Sequence, residues 1–371
     1  MVMPDGKQFC CGAGEPQVVW RIKHPRTPLK LAVDPDYQLG ETYMRGAWEV
    51  TQGSLTQLLS LLLHNFDPDR NHTPKTLGGR TLKQWNSLRR SRSNVTRHYD
   101  LDESLFRAFL DSGMHYSCAY FRHAEDTLEQ AQQQKCAHIQ RKLALSPGMR
   151  VLDIGCGWGG LALHLAQHAE VEVHGITLSR EQLAVAEQRR LQSGVAKRVK
   201  FSLQDYRTHQ GSYDRIVSVG MFEHVGKPYY HRFFTHLQRL LCDHGVALLH
   251  TIGRTTGPGT TNPWIRRHIF PGGYNPALSE ILRALDRVLL DATDIEVLRR
   301  HYALTINHWN RRFQMHRAHF AQTKGEEFCR MWEFYLAASE ASFLTGKLAV
   351  YQIQMTRDWQ LLPETRDYLY R

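Results

Sequence analysis

Apolar runs and helical patterns alternate along the middle of the chain. Five short runs of buried character predict strands at residues 151–154, 171–176, 199–203, 213–219 and 246–252. Apolar positions at helical spacing lie between them at residues 161–166, 179–193 and 228–242. This alternation predicts a doubly wound α/β domain around a parallel sheet, with a ligand crevice at the carboxyl ends of its strands.

The turn after the first of these strands is rich in glycine. Gly155, Gly157, Gly159 and Gly160 follow the strand in the stretch RVLDIGCGWGG, residues 150–160. Glycine leaves the backbone bare, so a ligand can reach main-chain N–H groups at the start of the next helix. The spacing departs from the dinucleotide pattern G-x-G-x-x-G, and a glycine turn without a ligand is the simpler alternative.

The first 92 residues predict a separate small α+β domain. A strand at residues 18–22 precedes a helix at 54–65, whose apolar side chains share one face: Leu55, Leu58, Leu59, Leu62 and Phe66. Core packing is the simpler explanation of that face, and membrane contact is the alternative. We place the domain boundary after residue 92 and assign residues 93–371 to the α/β domain. There, further helices are expected at 102–110 and 127–143, with two or three between 277 and 345.

Charge and composition narrow the class of protein. The 371 residues carry a formal net charge of +11, and residues 82–98 hold five Lys or Arg and no acid. A basic surface favours a polyanion, either nucleic acid or an anionic membrane face, and a solvated linker is the alternative. No nucleic-acid-binding motif accompanies it, so we expect no nucleic-acid partner.

Neither a metal site nor a membrane span is indicated. The seven cysteines form no C-x-x-C pair, and their odd number argues against a disulfide framework. No apolar run approaches the roughly 20 residues that cross a bilayer, and the first residues lack the apolar core of a signal peptide. We therefore expect a cytoplasmic protein without a bound metal.

Six ordered motifs identify a family. They are HYSCAYF (115–121), VLDIGCGWGG (151–160), GITLS (175–179), GMFEHVG (220–226), LLHTIG (248–253) and HIFPGG (268–273). Together they resemble the cyclopropane-fatty-acyl-phospholipid synthases, which are related to the mycolic acid cyclopropane synthases. The resemblance is strong over residues 96–357, and residues 35–50 look like the family's N-terminal lipid-binding domain. It implies a class I S-adenosylmethionine-dependent methyltransferase fold, a Rossmann-like doubly wound sheet in which the last strand, at 349–355, is antiparallel.

The resemblance implies a cofactor site for S-adenosylmethionine. Tyr116 and Ser117 match positions that close over the methionine end of the cofactor, where Gly155 and Gly157 allow close approach and Trp158 packs. No acid ends the second strand, so hydroxyl and backbone groups must bind the ribose hydroxyls. The residues concerned are Thr177, Leu178, Ser179 and Gln182. Ser179 is also expected to cap the following helix. Asp205, followed by Tyr206, either reaches the adenine amine or caps a turn.

The resemblance also implies the catalytic group. In this family a bound bicarbonate ion is the base, and the side chains that match its ligands are Glu223, His250 and Tyr302. Cys118 and Ile252 match positions that contribute backbone groups. We expect Glu223, bicarbonate and His250 to form a coupled proton relay. The alternatives are a structural cap at Glu223 and a core role for Tyr302. A cysteine frequent in the family is Ser339 here, so a catalytic thiol at that position is not expected.

The implied reaction adds a methylene across cis double bonds of unsaturated acyl chains in bilayer phospholipids. It calls for an apolar channel, for which aromatic side chains are candidates: Phe121, Phe222, Phe270, Tyr274, Trp309 and Phe313. The expected partners are an anionic phospholipid bilayer, bound peripherally, and a second copy of the chain in a homodimer. The rival functions are a lipid methyltransferase of the same fold that gives methyl-branched or methylene products, and a non-catalytic lipid-binding protein.

Overall fold

The computed structural model describes residues 1–15, 17–65 and 103–370, and these residues form two compact units. The first unit contains the described residues up to 65, together with residues 261–271 and 303–347. The second unit contains residues 103–260, 272–302 and 348–370. The basic stretch at 82–98 and the boundary expected after residue 92 lie outside the described residues. The first unit thus includes later segments that the sequence had assigned to the α/β domain.

The helices are α1 (Thr27–Val33), α2 (Pro35–Met44), α3 (Leu55–Asn65), α4 (Glu103–Phe109), α5 (Leu128–Lys142), α6 (Gly160–His168), α7 (Arg180–Gln192), α8 (Tyr230–Leu240), α9 (Pro263–His268), α10 (Leu278–Leu285), α11 (His301–Lys324) and α12 (Glu326–Leu344). The strands are β1 (Val19–Ile22), β2 (Trp48–Gln52), β3 (Arg150–Ile154), β4 (Glu172–Thr177), β5 (Val199–Leu203), β6 (Tyr213–Val219), β7 (Leu241–Arg254), β8 (Asp291–Val297) and β9 (Leu348–Thr356). Short 3₁₀ turns occupy Tyr206–Thr208, Phe222–His224, Lys227–Tyr229, Trp359–Leu361 and Arg366–Leu369.

Seven strands of the second unit form one sheet in the order β5-β4-β3-β6-β7-β9-β8. The strands from β5 to β7 pair in parallel, and β9 is antiparallel to both of its neighbours, β7 and β8. The class I methyltransferase fold, its five parallel strands and its antiparallel last strand are therefore confirmed. Alternate residues of the strands enter two apolar clusters, one beneath α8 and α10 and the other beneath α5 and α6.

Strand β8 is the element that the pattern missed. Three acids interrupt it. Asp294 and Glu296 form ion pairs, both with Lys142 and the former also with Arg366, and Asp291 accepts from the indole N–H of Trp359. An acidic edge strand shows neither an apolar run nor a clear alternation, so it resembles a loop in sequence. The short helix α9 was also not foreseen.

The first unit packs α12 against α2 and α3. Leu58 and Leu59 of α3 are buried there, which supports core packing for that face, and Phe66 lies outside the described residues. The guanidinium of Arg330 lies 4.0 Å from the ring centroid of Tyr43 and donates to the carbonyls of Tyr43 and Trp48, at 2.6 and 2.8 Å. Among the described helices, none has the length and apolarity of a membrane span.

Candidate functional site

A cavity of the second unit opens where the parallel strands of its sheet end. Its wall combines the glycine turn after β3, the ends of β4 and β6, the residues that follow β5, and the segment 114–117. The residues that line it include Lys135, Asp153, Gln204, Arg207, Met221 and His224, in addition to positions expected from the sequence. This is the crevice that the doubly wound topology predicts.

The glycine turn bares its backbone on the cavity side. Gly157 has a φ of +54°, and a Cβ added there would meet no atom within 4 Å. A Cβ on Gly159, at a φ of +82°, would instead lie 2.6 Å from the ring of Phe201. Gly157 therefore keeps space open for a ligand, whereas Gly159 allows helix α6 to approach the sheet.

The segment 111–117 is held over the glycine turn by a buried polar network. The Asp111 carboxylate accepts from the backbone of Gly113 and His115 and from Nδ1 of His115, each at 2.8 Å. Burial opposes its ionisation, but His115 nevertheless holds the pKa of Asp111 down at about 2. Arg189 donates to the carbonyls of Gly113 and Trp158, at 2.9 and 2.8 Å, and so ties the segment to the turn.

Two buried charged side chains on the cavity wall were not foreseen from the sequence. Lys135 is 1% exposed, and its Nζ donates to Oγ of Ser117 at 3.0 Å. Asp153 is 2% exposed, and its Oδ2 has no hydrogen-bond partner. Burial raises the pKa of Asp153 to about 7, although Lys135 opposes this shift. They are not paired with each other, so a ligand that carries both a cation and an anion would complement them.

Nine of the eleven expected cofactor residues line this cavity. They are Tyr116, Ser117, Gly155, Gly157, Trp158, Thr177, Leu178, Gln182 and Tyr206. The structure thus brings together segments that are up to 90 residues apart in sequence, as the six motifs imply. Ser179 and Asp205 do not line the cavity.

Ser179 is the N-cap residue of helix α7 and does not line the cavity. Its Oγ accepts from the backbone N–H of Gln182 at 3.2 Å, so the expected cap is confirmed. The Thr177 hydroxyl donates to Oε1 of Gln182 at 2.9 Å. The cap fixes the end of β4, and the two polar side chains that face the cavity there are those of Thr177 and Gln182.

Asp205 is engaged by Arg207. The guanidinium of Arg207 donates to both carboxylate oxygens, at 2.9 and 2.7 Å, and the backbone N–H of Arg207 donates to Oδ1 at 2.9 Å. Of the two roles considered for Asp205, this arrangement is the turn cap, at the start of the 3₁₀ turn Tyr206–Thr208. Its neighbours Gln204 and Arg207 face the cavity instead.

Glu223 contacts strand β7 at Ile252, two residues after His250. Oε1 of Glu223 accepts from the backbone N–H of Ile252 at 2.6 Å, whereas Oε2 is buried without a partner. Burial raises the pKa of Glu223 to about 7, although the bond from Ile252 opposes this. Residues on both sides of Glu223, Met221 and His224, line the cavity.

His250 is neutral and oriented by strand β9. The amide nitrogen of Gln352 donates to Nδ1 of His250 at 3.1 Å, so Nδ1 accepts and Nε2 carries the proton. Burial lowers the pKa of His250 to about 3, and Lys135 and Lys142 reinforce the shift. The ring is therefore a hydrogen-bond donor through Nε2 at neutral pH.

Cys118 and Tyr302 are buried on two segments that contact each other. The backbone N–H of Phe121 donates to Nδ1 of His301 at 3.0 Å, and the ring of Tyr120 stacks on His301 with centroids 5.0 Å apart. Cys118 is 1% exposed and Tyr302 is 7% exposed. The contact fixes Tyr302, at the start of α11, relative to the HYSCAYF segment.

The six candidate aromatic side chains divide between the units. Phe121, Phe222 and Tyr274 belong to the second unit, and Phe270, Trp309 and Phe313 belong to the first. Phe222 packs in the core with Tyr230, at a centroid distance of 4.3 Å. None of the six lines the cavity described above.

Comparison with known proteins identifies the family. The family model described as mycolic acid cyclopropane synthetase matches residues 86–353. The chain belongs to this family. It is 38% identical over 339 residues to the cyclopropane-fatty-acyl-phospholipid synthase of Escherichia coli strain K12, covering 91% of this chain and 87% of that protein. It is 36% identical over 383 residues to a "Probable fatty acid methyltransferase" of Pseudomonas putida, covering 99% of this chain and 95% of that protein.

A solved structure agrees with this assignment. The crystal structure of the mycolic acid cyclopropane synthase CmaA1, complexed with SAH and CTAB, has a TM-score of 0.67 and 33% identity. The match covers 71% of this chain and 97% of that one. With this family and this fold, the chain is an S-adenosylmethionine-dependent methyltransferase of the cyclopropane synthase type.

Proposed function

We propose that this enzyme adds a methylene group from S-adenosylmethionine across a cis double bond of an unsaturated phospholipid acyl chain. The observation that carries the proposal is the position of Glu223. It lies between residues that line the glycine-turn cavity, and its carboxylate is buried with one oxygen unpartnered. A methyl donor held in the cavity would thus meet a buried proton acceptor, as ring formation requires.

The bonding changes define what the site must do. The alkene π electrons form a bond to the sulfonium methyl carbon, and the C–S bond electrons leave with sulfur, giving S-adenosylhomocysteine. The resulting carbocation closes to a ring when one proton leaves the new methyl group. The protein must therefore orient the donor, exclude water and accept a proton without capturing the cation.

The cavity fits the amino-acid end of the methyl donor. That end is a zwitterion, and Lys135 and Asp153 offer one cation and one carboxylate on the same wall. We infer that Lys135 and Ser117 receive the carboxylate and that Asp153 receives the ammonium group. The held segment 111–117 then keeps Tyr116 and Ser117 over this end of the ligand.

The polar groups around Glu223 fit bicarbonate. Oε2 of Glu223 is a buried acceptor in need of a donor, and Nε2–H of His250 is a donor. Bicarbonate offers both an O–H and acceptor oxygens, and when bound it would supply the base. We propose that Glu223 and His250 hold it, with Tyr302 and the backbone at Cys118 and Ile252, and that Glu223 takes up the proton.

We also propose that the first unit binds a phospholipid surface. Helix α1 exposes Leu29 by 69% and Val33 by 77%, one helical turn apart. Arg26 and Lys30, also one turn apart, are exposed beside them. Aliphatic and basic side chains on one exposed helix suit an anionic bilayer surface. The homodimer expected from the resemblance remains a proposal, which light scattering on purified protein tests.

Product analysis tests the reaction. Purified protein, S-adenosylmethionine and bicarbonate are incubated with unsaturated phospholipid vesicles, and the acyl chains are analysed by mass spectrometry and proton NMR. We expect the mass of one CH₂ to be added, the double bond to be lost and ring methylene protons to appear. The rival reaction gives a methyl-branched or methylene product. A methylated chain without ring protons would establish that rival, and no added carbon would refute methyl transfer.

Vesicle binding tests the docking surface. Replacing both Leu29 and Val33 by Ser should weaken sedimentation with anionic vesicles, and rising salt should weaken it further. Leu191, an aliphatic side chain of the second unit that is 70% exposed, is the matched control, and Leu191→Ser should bind as the unchanged protein does. Equal binding by all three proteins at every salt concentration would contradict the proposed surface.

A further inference from the structure

Four hydrogen bonds form a chain that runs from the sheet to the cavity wall. Oγ of Ser202 lies 2.9 Å from Nε2 of His174, and Nδ1 of His174 lies 3.1 Å from the Tyr213 hydroxyl. That hydroxyl lies 2.8 Å from Nε2 of His209, and Nδ1 of His209 lies 2.9 Å from Oε1 of Gln204. Gln204 is the member that lines the cavity.

The donor and acceptor of each bond can be assigned by starting from Gln204, at the cavity end of the hydrogen-bond chain. Because Oε1 of Gln204 can only accept, Nδ1 of His209 must donate, and Nε2 of that neutral ring accepts from the Tyr213 O–H. The Tyr213 oxygen is then free to accept from Nδ1–H of His174. Nε2 of His174 in turn accepts the Ser202 O–H.

The environment keeps this chain neutral. Burial lowers the pKa of His174 to about 4, and the neighbouring His209 and Lys200 act in the same direction. Burial also lowers the pKa of His209 and raises that of Tyr213. Both imidazoles and the phenol therefore hold single, defined protons at neutral pH, as the bond directions require.

The chain leaves one group of Gln204 unused. Its oxygen is occupied by His209, whereas its amide nitrogen makes no hydrogen bond to another described residue. The adjacent Asp205, the side chain expected to read the adenine amine, is held on both oxygens by Arg207. The group that Gln204 leaves for a ligand in the cavity is thus a donor.

We propose that the Gln204 amide is the purine-reading group of this enzyme. It donates to a ring nitrogen of the adenine, and His209, Tyr213 and His174 act as positioning residues that fix its orientation. This inference rests on the proposed function, since it takes the cavity to bind S-adenosylmethionine. In this inference the enzyme recognises adenine through one of its ring nitrogens, which accepts the hydrogen bond from Gln204.

Ligand analogues test the inference through binding alone. Calorimetry gives Kd for S-adenosylhomocysteine and for three analogues in which N1, N3 or N7 of the purine is replaced by C–H. For the unchanged protein we expect one analogue to bind about three- to tenfold more weakly, as for one lost neutral hydrogen bond. In Gln204→Leu that penalty should vanish, while S-adenosylhomocysteine itself binds weaker by a similar factor.

Two variants separate positioning from general damage. Tyr213→Phe removes the O–H that sets the His209 tautomer, so it should reduce the same analogue's penalty while the protein stays folded, as thermal unfolding shows. Gln182→Leu, elsewhere on the cavity wall, should weaken all four ligands and leave the penalty intact. Equal analogue penalties in the unchanged protein and in Gln204→Leu would overturn this inference alone. Failure of the unchanged protein to bind S-adenosylhomocysteine would overturn it together with the proposed function.

Discussion

Replacing Glu223 by Gln should change how the stability of the protein depends on pH. Gln has nearly the same shape and can still accept from the backbone of Ile252, but it cannot ionise. In the folded protein the pKa of Glu223 is raised to about 7 from 4.5. Below pH 4.5 the carboxyl is protonated in both folded and unfolded chains, so it does not lower the free energy of unfolding there.

The sign and size of the effect follow from proton linkage. As pH rises from 4.5 to 7, the unfolded chain releases the Glu223 proton while the folded chain retains it, so the free energy of unfolding falls. At 1.36 kcal/mol per pH unit, the loss amounts to about 3 kcal/mol and levels off above pH 7. Glu223→Gln escapes this loss, so it should be more stable than the unchanged protein at pH 8 but not at pH 4.5.

Thermal unfolding from pH 4.5 to 8 measures the difference between the two proteins. The buried Asp153 titrates in the same direction, but it is present in both and cancels. Glu172→Gln, which alters an exposed carboxylate, should follow the unchanged protein at every pH. If Glu223→Gln also runs parallel to the unchanged protein, the carboxyl is not held protonated and the argument from burial fails.

Glu223→Gln should lower turnover, although it raises stability at high pH. If Glu223 takes up the departing proton, it must be ionised, so kcat/KM of the unchanged protein should rise about tenfold per pH unit up to pH 7. Glu223→Gln should lose about 100-fold or more and show no such rise, while its Kd for S-adenosylhomocysteine stays the same. A retained pH limb in the variant would assign the titration to another group.

Three other substitutions test separate parts of the structure. Gly157→Ala should weaken S-adenosylhomocysteine binding about tenfold in calorimetry at a stability cost of about 1 kcal/mol, whereas Gly159→Ala, which meets Phe201, should mainly lower the unfolding temperature. Lys135→Met should weaken S-adenosylhomocysteine about 10- to 100-fold but leave methylthioadenosine, which lacks the amino-acid end, unchanged. Arg330→Met should destabilise the first unit by about 2 kcal/mol in thermal unfolding, because a ring contact and two carbonyl bonds are lost.

Apolar pattern was enough to locate the parallel strands because they are buried on both faces. Strands β5 and β6 begin and end at the predicted residues, and β3 differs from its prediction by one residue. Strand β8 failed the same test, since it carries acids that form ion pairs with Lys142 of α5 and with Arg366. The two partners of Asp294, Lys142 and Arg366, lie more than 70 residues away from it in the sequence, so no local pattern encodes them.

Helix α5 shows why part of the site was missed. Its composition is dominated by Gln, Lys and Glu, which is typical of an exposed helix, yet Gln132, Lys135 and Lys142 are all buried. Lys135 and Lys142 lie two turns apart on one face, and that spacing was the available signal. Because a buried lysine is costly without a partner, their position only makes sense once Ser117 and the acids of β8 are in place.

The neighbours Gln204 and Asp205 show how far the sequence alone can predict this site. Topology predicts that polar residues after β5 lie at the cavity, and of these two residues only Gln204 lines it. Neighbouring residues in extended backbone point to opposite sides, so the choice between them reverses if the strand ends one residue earlier or later. What decides it is Arg207, which fastens Asp205 through three hydrogen bonds, and His209, which turns the oxygen of Gln204 away from any ligand. The resemblance could therefore indicate where to look for recognition of the base, whereas the proposal that a donor reads it rests on the side-chain contacts.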